Sequence, residues 1–305
     1  MDYIYLIFGL SLLALGGEFL VKGSVSLALR LKISTLVVGM TVVSFATSAP
    51  ELLVSLDAAL KGYSDISLGN VIGSNIANIG LVLGFTALIF PLNITRETYK
   101  INYPMLLGVS LVFVLFIYLF HAVYFWMGAL FILSLLIFLF LLIRSSRKKG
   151  EQEEQDGEFV ELVTCYPLWK SISYLILGSI LLYYGADFLI NGAIAIAKEW
   201  GVTERVIAIS VVAIGTSVPE LAASMVSALR KEESLAIGNL LGSNIFNVLA
   251  VLGVTSLLTD LPVVDVKIYT KDIWIMLGFL VLLYPIMRVN SKNIINRLEG
   301  RVLLL

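Results

Sequence analysis

Long apolar runs separated by short polar connections make up most of this chain. Runs near 4–29, 33–60, 66–91, 99–120, 123–143, 170–197, 204–229, 234–258 and 268–288 stand out. A helix of roughly twenty apolar residues crosses ~30 Å of hydrocarbon, and each run reaches that length. A helix also satisfies its own backbone hydrogen bonds in lipid, so the pattern predicts an all-α membrane protein. The run from Tyr3 lacks a basic region and a small-residue cleavage site, so it is read as the first span and not as a signal peptide. The largest polar break is Arg144 to Glu161, which is charged and has no apolar periodicity. It reads as a solvated linker. The expected organisation is 1–143, a linker at 144–169, and 170–305.

Composition agrees with lipid as the solvent. Of 305 residues, 59% are hydrophobic and only 14% charged, with mean hydropathy +0.95. A soluble domain is about 45–50% apolar and about 25% charged. A net charge of −1 gives no footprint for nucleic acid. The single cysteine, Cys165, cannot close an internal disulfide or build a thiolate metal site, and the single histidine, His121, falls in a short turn. If the N-terminus lies outside, the inner connections hold 15 Lys and Arg and the outer ones 5. That bias predicts a multi-pass cell-membrane protein with the N-terminus outside and the linker cytoplasmic.

The chain repeats itself. Residues 37–89 align with 206–258 at a constant offset of 169, without gaps, and 23 of the 53 positions are identical. The matches include Thr47-Ser48 with Thr216-Ser217, Pro50-Glu51 with Pro219-Glu220, and Gly69-Asn70 with Gly238-Asn239. They also include Gly73-Ser74-Asn75 with Gly242-Ser243-Asn244, and Asn78 with Asn247. Chance apolar similarity swaps Leu for Val; it does not align Pro, Glu, Gly, Ser and Asn at one offset. Five spans precede the second copy, and five is odd, so the copies enter the membrane from opposite faces. Two inverted repeats of five helices are expected, as in many secondary transporters. The fifth span predicts a tenth near 292–312, yet the chain stops at Leu305 and Ser291–Arg301 is polar. The tenth helix is therefore expected to be cut short or absent.

The chemistry sits inside the repeats. Ser44, Thr47, Glu51 and Ser55 recur every three or four residues and share one helix face. Pro50 removes a backbone donor and should free carbonyls around Ser44–Thr47. The second copy places Ala213, Thr216, Ser217, Pro219 and Glu220 in the same way. The third span adds Asn70, Ser74 and Asn78, and the eighth Asn239, Ser243 and Asn247. The paired glycines should admit close helix approach. A carboxylate in mid-span is costly and marks function. Carboxylates, hydroxyls and carbonyls form a hard-oxygen set suited to sodium, calcium or magnesium. Glu18, one turn from Lys22, and Asp187, opposite Asn191, are read as structural or interfacial, and Asp57 as a surface residue.

The twin motifs, Thr47-Ser48-Ala49-Pro50-Glu51 with Thr216-Ser217-Val218-Pro219-Glu220 and the two Gly-Asn-x-x-Gly-Ser-Asn stretches, resemble the two alpha repeats of sodium/calcium exchangers, in the calcium:cation antiporter superfamily. The resemblance covers essentially the whole chain except the short tail. It implies ten helices, with broken central helices around the ions, and sodium-for-calcium exchange by alternating access. It implies calcium on Glu51 and Glu220 with the carbonyls of Thr47 and Thr216. It implies sodium on Thr47, Ser48, Ser74, Thr216, Ser217 and Ser243 with the carbonyls of Ser44 and Ala213. Asn78 and Asn247 would flank the centre. Some members carry Asp where Asn247 stands; with Asn in both repeats the site has two formal charges, which match one calcium ion. No cofactor is implied, and the expected partners are sodium and calcium ions and the bilayer. Nothing demands a protein partner, so a monomer suffices. The alternative is a proton-driven calcium exchanger, against which the hydroxyls in both repeats argue. Two inverted gates argue against a channel, and the absence of a Ser/His pair, a metal-binding His cluster or an aspartate dyad argues against an intramembrane enzyme.

Overall fold

The computed structural model describes residues 2–155, 165–201, 215–289 and 294–305, and these are almost entirely helical. Among the described residues, seven helices are long and apolar enough to span a membrane, and a further pair, bent by 44° where it meets at Ser48, passes the same test when its two helices are taken together. The helices are α1 (Asp2–Leu31), α2 (Thr35–Val38), α3 (Ser44–Thr47), α4 (Ala49–Leu60), α5 (Ser64–Ala77), α6 (Gly84–Ile89), α7 (Tyr103–Phe120) and α8 (Phe125–Gln155). They continue with α9 (Leu168–Glu199), α10 (Val218–Leu229), α11 (Glu233–Phe246), α12 (Gly253–Leu258), α13 (Ile273–Val289) and α14 (Arg297–Leu304). The expected run at 204–229 lies partly outside the described residues; its described part is α10.

The repeat shows in the element bounds. α4, α5 and α6 correspond to α10, α11 and α12 end for end at the offset of 169, as do the π-helical segments Asn78–Leu83 and Asn247–Leu252. The short strands β1 (Leu92–Asn93) and β3 (Leu261–Pro262) keep the same offset. β1 pairs antiparallel with β4 (Ile294–Ile295), and β2 (Ala122–Val123) pairs with β3.

The chain packs as two compact units that interleave the repeats: Met1–Thr47 with Leu139–Asn239, and Ser48–Phe138 with Leu240–Leu305. In the first unit α1 and α9, of 30 and 32 residues, pack along their lengths. Gly9, Gly16 and Gly23, seven residues apart, face Gly185, Gly178 and Ser171, so the helices run antiparallel with backbones touching. A side chain at any of the three glycines would meet main-chain atoms of α9, which is how small residues permit close contact in lipid. α1 and α9 are repeat counterparts, and their opposite directions are the inversion itself. Leu13, Leu20, Leu175, Leu182, Val218 and Ala223 belong to the core behind this seam. The outward faces stay apolar, as at Ile172, Ile176 and Ile180 of α9, which suits lipid contact. Trp169 and Trp200 mark its two ends, where an amphipathic ring favours the membrane interface.

Two expectations are refined. α8 does not end near 143 but continues as helix to Gln155, through Arg, Lys, Glu and Gln of high helix propensity and across Gly150. The tail is also not featureless. In the second unit α14 packs on α6, with Gly300 against Gly84, and α8 approaches α12 with Gly128 against Gly253. α14 therefore begins as the counterpart of α8. Asn296 caps it, accepting from the amides of Leu298 and Glu299. Eight residues of helix rise only ~12 Å, so the tenth element of the sequence given is a short helix and not a full span. His121 is a turn residue as expected, in the left-handed conformation at the end of α7.

Candidate cation-binding site

Two helix starts place the carboxylates. α4 begins with Pro50 in its first turn, preceded by Ser48 at φ −86° and ψ 4°. α10 begins with Pro219 in its first turn, preceded by Ser217 at φ −90° and ψ 2°. Proline cannot donate to the preceding turn and clashes with it, so it stands at the start of a helix, and at Ser48 one helix stops and the next begins. Glu51 and Glu220 thus fall in the first turn of a new helix, where the positive end of the helix dipole favours an anion. Both side chains are fully buried. A carboxylate buried within a membrane span is costly and marks a functional position, and here two stand at matched positions of the repeats.

The first unit holds Glu220 and also Ser44, Thr47, Thr216, Ser217, Ser224 and Asn239. Asn239, on α11, is the hub. Its Oδ1 accepts from Thr47 Oγ1 at 3.1 Å, and its Nδ2 donates to Ser224 Oγ at 3.1 Å. Ser44 Oγ lies 2.8 Å from the Gly39 carbonyl and 3.0 Å from that of Asn239, so its hydroxyl is engaged with backbone. Gly238 meets Leu36 and Gly39 closely, as the paired glycines lead one to expect; the counterparts of those two partners lie outside the described residues. Ser217 is buried, and its hydroxyl has no hydrogen-bond partner among the described residues. Thr216 is half-buried. Ala213 lies outside the described residues.

The second unit holds Glu51 and also Ser48, Ser55, Asn70, Ser74, Asn78, Ser243 and Asn247. Asn70 Nδ2 donates to Ser55 Oγ at 2.9 Å and to the Glu51 carbonyl at 3.2 Å. α4 packs on the segment Asn247–Leu252 and on α12. Ser48, Ser74 and Ser243 are buried. Asn78 and Asn247 each open a π-helical segment, a local widening that often marks function. Both amide atoms of Asn78 are buried without a partner among the described residues, as is Asn247 Oδ1. Asn247 Nδ2 donates to Asn75 Oδ1 at 3.1 Å.

Each unit therefore holds a fully buried carboxylate, and also buried hydroxyl or amide oxygens without a partner among the described residues. Buried polar atoms are nearly always paired, so these atoms mark places for a ligand or water. The donors are all oxygen, and cations that prefer such donors are sodium, calcium and magnesium. Ser224 and Asn75 were not singled out from sequence. Ser224 is the offset partner of Ser55, and Asn75 stands inside the repeated motif, so both signals were present.

The other carboxylates have structural settings. Glu18 meets Lys22 at 3.0 Å and also Arg230, at the end of α10, at 2.6 Å. Asp57 is exposed and pairs with Lys61 at 2.7 Å. Asp187 is exposed on α9.

Comparison with known proteins gives the family. The family model described as sodium/calcium exchanger protein matches residues 1–144 and 170–305. CaxA of Alkalimonas amylolytica is 38% identical over 99% of this chain and 95% of its own length. MaX1 of Methanosarcina acetivorans, named a sodium/calcium exchanger, is 28% identical over 100% of this chain and 96% of its own. A solved structure of the sodium-calcium exchanger NCX_Mj superimposes with a TM-score of 0.83 at 30% identity, covering 99% of this chain and 95% of that one.

Proposed function

This chain belongs to the sodium/calcium exchanger family, multi-pass membrane antiporters of cations, and from that premise we propose that it exchanges sodium for calcium by alternating access. The observation that carries the reading is that each unit holds one fully buried carboxylate, Glu51 or Glu220, and buried hydroxyl or amide oxygens as well. Two carboxylates match the charge of one calcium ion, which takes 6–8 oxygens. Glu51 and Glu220 with the carbonyls of Thr47 and Thr216 hold calcium. The hydroxyls of Thr47, Ser48, Ser74, Thr216, Ser217 and Ser243, with carbonyls of Ser44 and Ala213, hold sodium. Asn78 and Asn247 border the centre. Two carboxylates do not neutralise calcium and sodium together, so the ions compete, and competition at a site reached alternately from each side yields exchange. The proposed orientation has the N-terminus outside and the linker cytoplasmic, and the chain acts as a monomer.

The test is calcium uptake into proteoliposomes loaded with sodium, with potassium, or bearing an imposed proton gradient. Uptake driven by sodium alone is the expected result. Uptake driven by protons alone would replace sodium by the proton as the coupled ion, with the same two glutamates as carriers. Saturable uptake that needs no counter-ion would sink the exchange reading.

A further inference from the structure

We propose that Asn75 is a positioning residue that turns the Asn247 amide oxygen toward the transported cation, and that Met276 fixes the way Asn75 itself is turned. The inference rests on the reading of Asn247 as a group bordering the ions. All three side chains lie in the second unit and are buried, Asn75 at 1% exposure and Met276 and Asn247 at none.

The amides form a directional chain. Asn75 Nδ2 lies 3.7 Å from Met276 Sδ, and Asn75 Oδ1 accepts from Asn247 Nδ2 at 3.1 Å. That leaves Asn247 Oδ1 as the open atom, buried and unpartnered among the described residues. A primary amide has a donor end and an acceptor end, while a thioether has lone pairs and no donor. Were Asn75 turned over, its oxygen would face the sulfur, acceptor against acceptor. Its NH2 would then meet the NH2 of Asn247 unless that amide also turned, which would aim N–H groups at the place of a cation. The sulfur therefore selects the one arrangement that presents oxygen.

The mirrored set, in which the two repeats exchange roles, lacks this device, and the sequence shows why. Aligning Gly108 with Gly278 puts Leu106 in the place of Met276, equally buried but with no lone pair. There Asn244, the counterpart of Asn75, donates Nδ2 to the Leu240 carbonyl of its own helix at 2.8 Å. Asn78, the counterpart of Asn247, has neither amide atom held among the described residues. One asparagine of the pair is thus oriented in advance and the other is free to turn, so the two should contribute unequally to cation affinity.

The experiment uses the full chain, with calcium uptake into proteoliposomes measured against calcium concentration and calcium protection against thermal unfolding measured in detergent. Losing one neutral hydrogen bond changes an equilibrium by about 2- to 12-fold. Asn75→Leu should raise the calcium KM and the half-protecting calcium concentration about 3- to 10-fold, with a smaller change in maximal rate. Met276→Leu should raise both by about 2-fold, since sulfur is a weak acceptor, and should add nothing when combined with Asn75→Leu. Melting without calcium checks folding, and Asn75→Ala carries the same test if Asn75→Leu does not fold. An unchanged KM in the Asn75 variants, or a loss confined to maximal rate, overturns the proposal. Additive effects of the two substitutions overturn the role of Met276. Asn247→Leu separates the premise: if it too leaves KM unchanged, the site reading fails, whereas a raised KM there with normal Asn75 variants leaves the site standing and removes only the positioning role.

Discussion

Asn70 Nδ2 lies 2.9 Å from Ser55 Oγ, and one repeat later Asn239 Nδ2 lies 3.1 Å from Ser224 Oγ. The same bond is made twice, and each time it fastens the helix that carries a buried glutamate to the helix of the Gly-Asn motif. The two are not equal. Asn239 is fully buried and also holds Thr47, while Asn70 is half-buried and also holds the Glu51 carbonyl. Asn239→Leu should therefore lower stability by about 1–3 kcal/mol, and Asn70→Leu by less, because solvent can replace part of an exposed bond. Melting of the purified variants in detergent checks this ordering; equal losses would mean that the bonds, and not their burial, set the cost.

Glu51→Gln and Glu220→Gln should each abolish calcium transport and leave a folded protein. The amide keeps the shape and removes a desolvated charge, so the helix gains while a divalent ion loses a ligand worth several kcal/mol. Calcium flux and melting temperature, measured side by side, check both halves of the expectation. Near-normal flux in both variants would remove the central role of the carboxylates.

Asn247→Asp should make calcium transport more sensitive to acid. The substitution adds a third carboxylate beside buried oxygens, and protons compete for it as the pH falls. It also leaves the residue with acceptors only, so Asn75 must present its NH2 in place of its oxygen. A pH profile of calcium uptake that matches the unsubstituted protein would place residue 247 away from the ions.

Cysteine labelling tests orientation. The exposed native Cys165, and a cysteine at Lys148 on α8, should be protected from an impermeant reagent added outside. A cysteine at Lys198, at the end of α9, should be labelled. The reverse pattern would invert the topology while leaving the fold as it is.

The sequence by itself determined the repeat and its chemistry. The offset of 169 that aligns the two motifs also aligns the bounds of α4 with α10, α5 with α11 and α6 with α12. Pro50 and Pro219 announced the helix breaks, because a missing backbone donor acts on the turn next to it, wherever the helix packs. Glu51 and Glu220 were legible because a carboxylate inside an apolar run carries its cost with it. Tertiary structure alone decided which distant groups meet. Glu18 takes Arg230 as well as the neighbouring Lys22, a partner 212 positions away that no periodicity encodes. The tail forms α14 against α6 because Gly84 and Gly300 let two backbones approach, and that contact depends on both glycines at once. The amide of Asn75 is the sharpest case. Its oxygen and nitrogen are nearly equal in size, so only the neighbours Met276 and Asn247, brought from two other segments, give one end a donor and the other an acceptor.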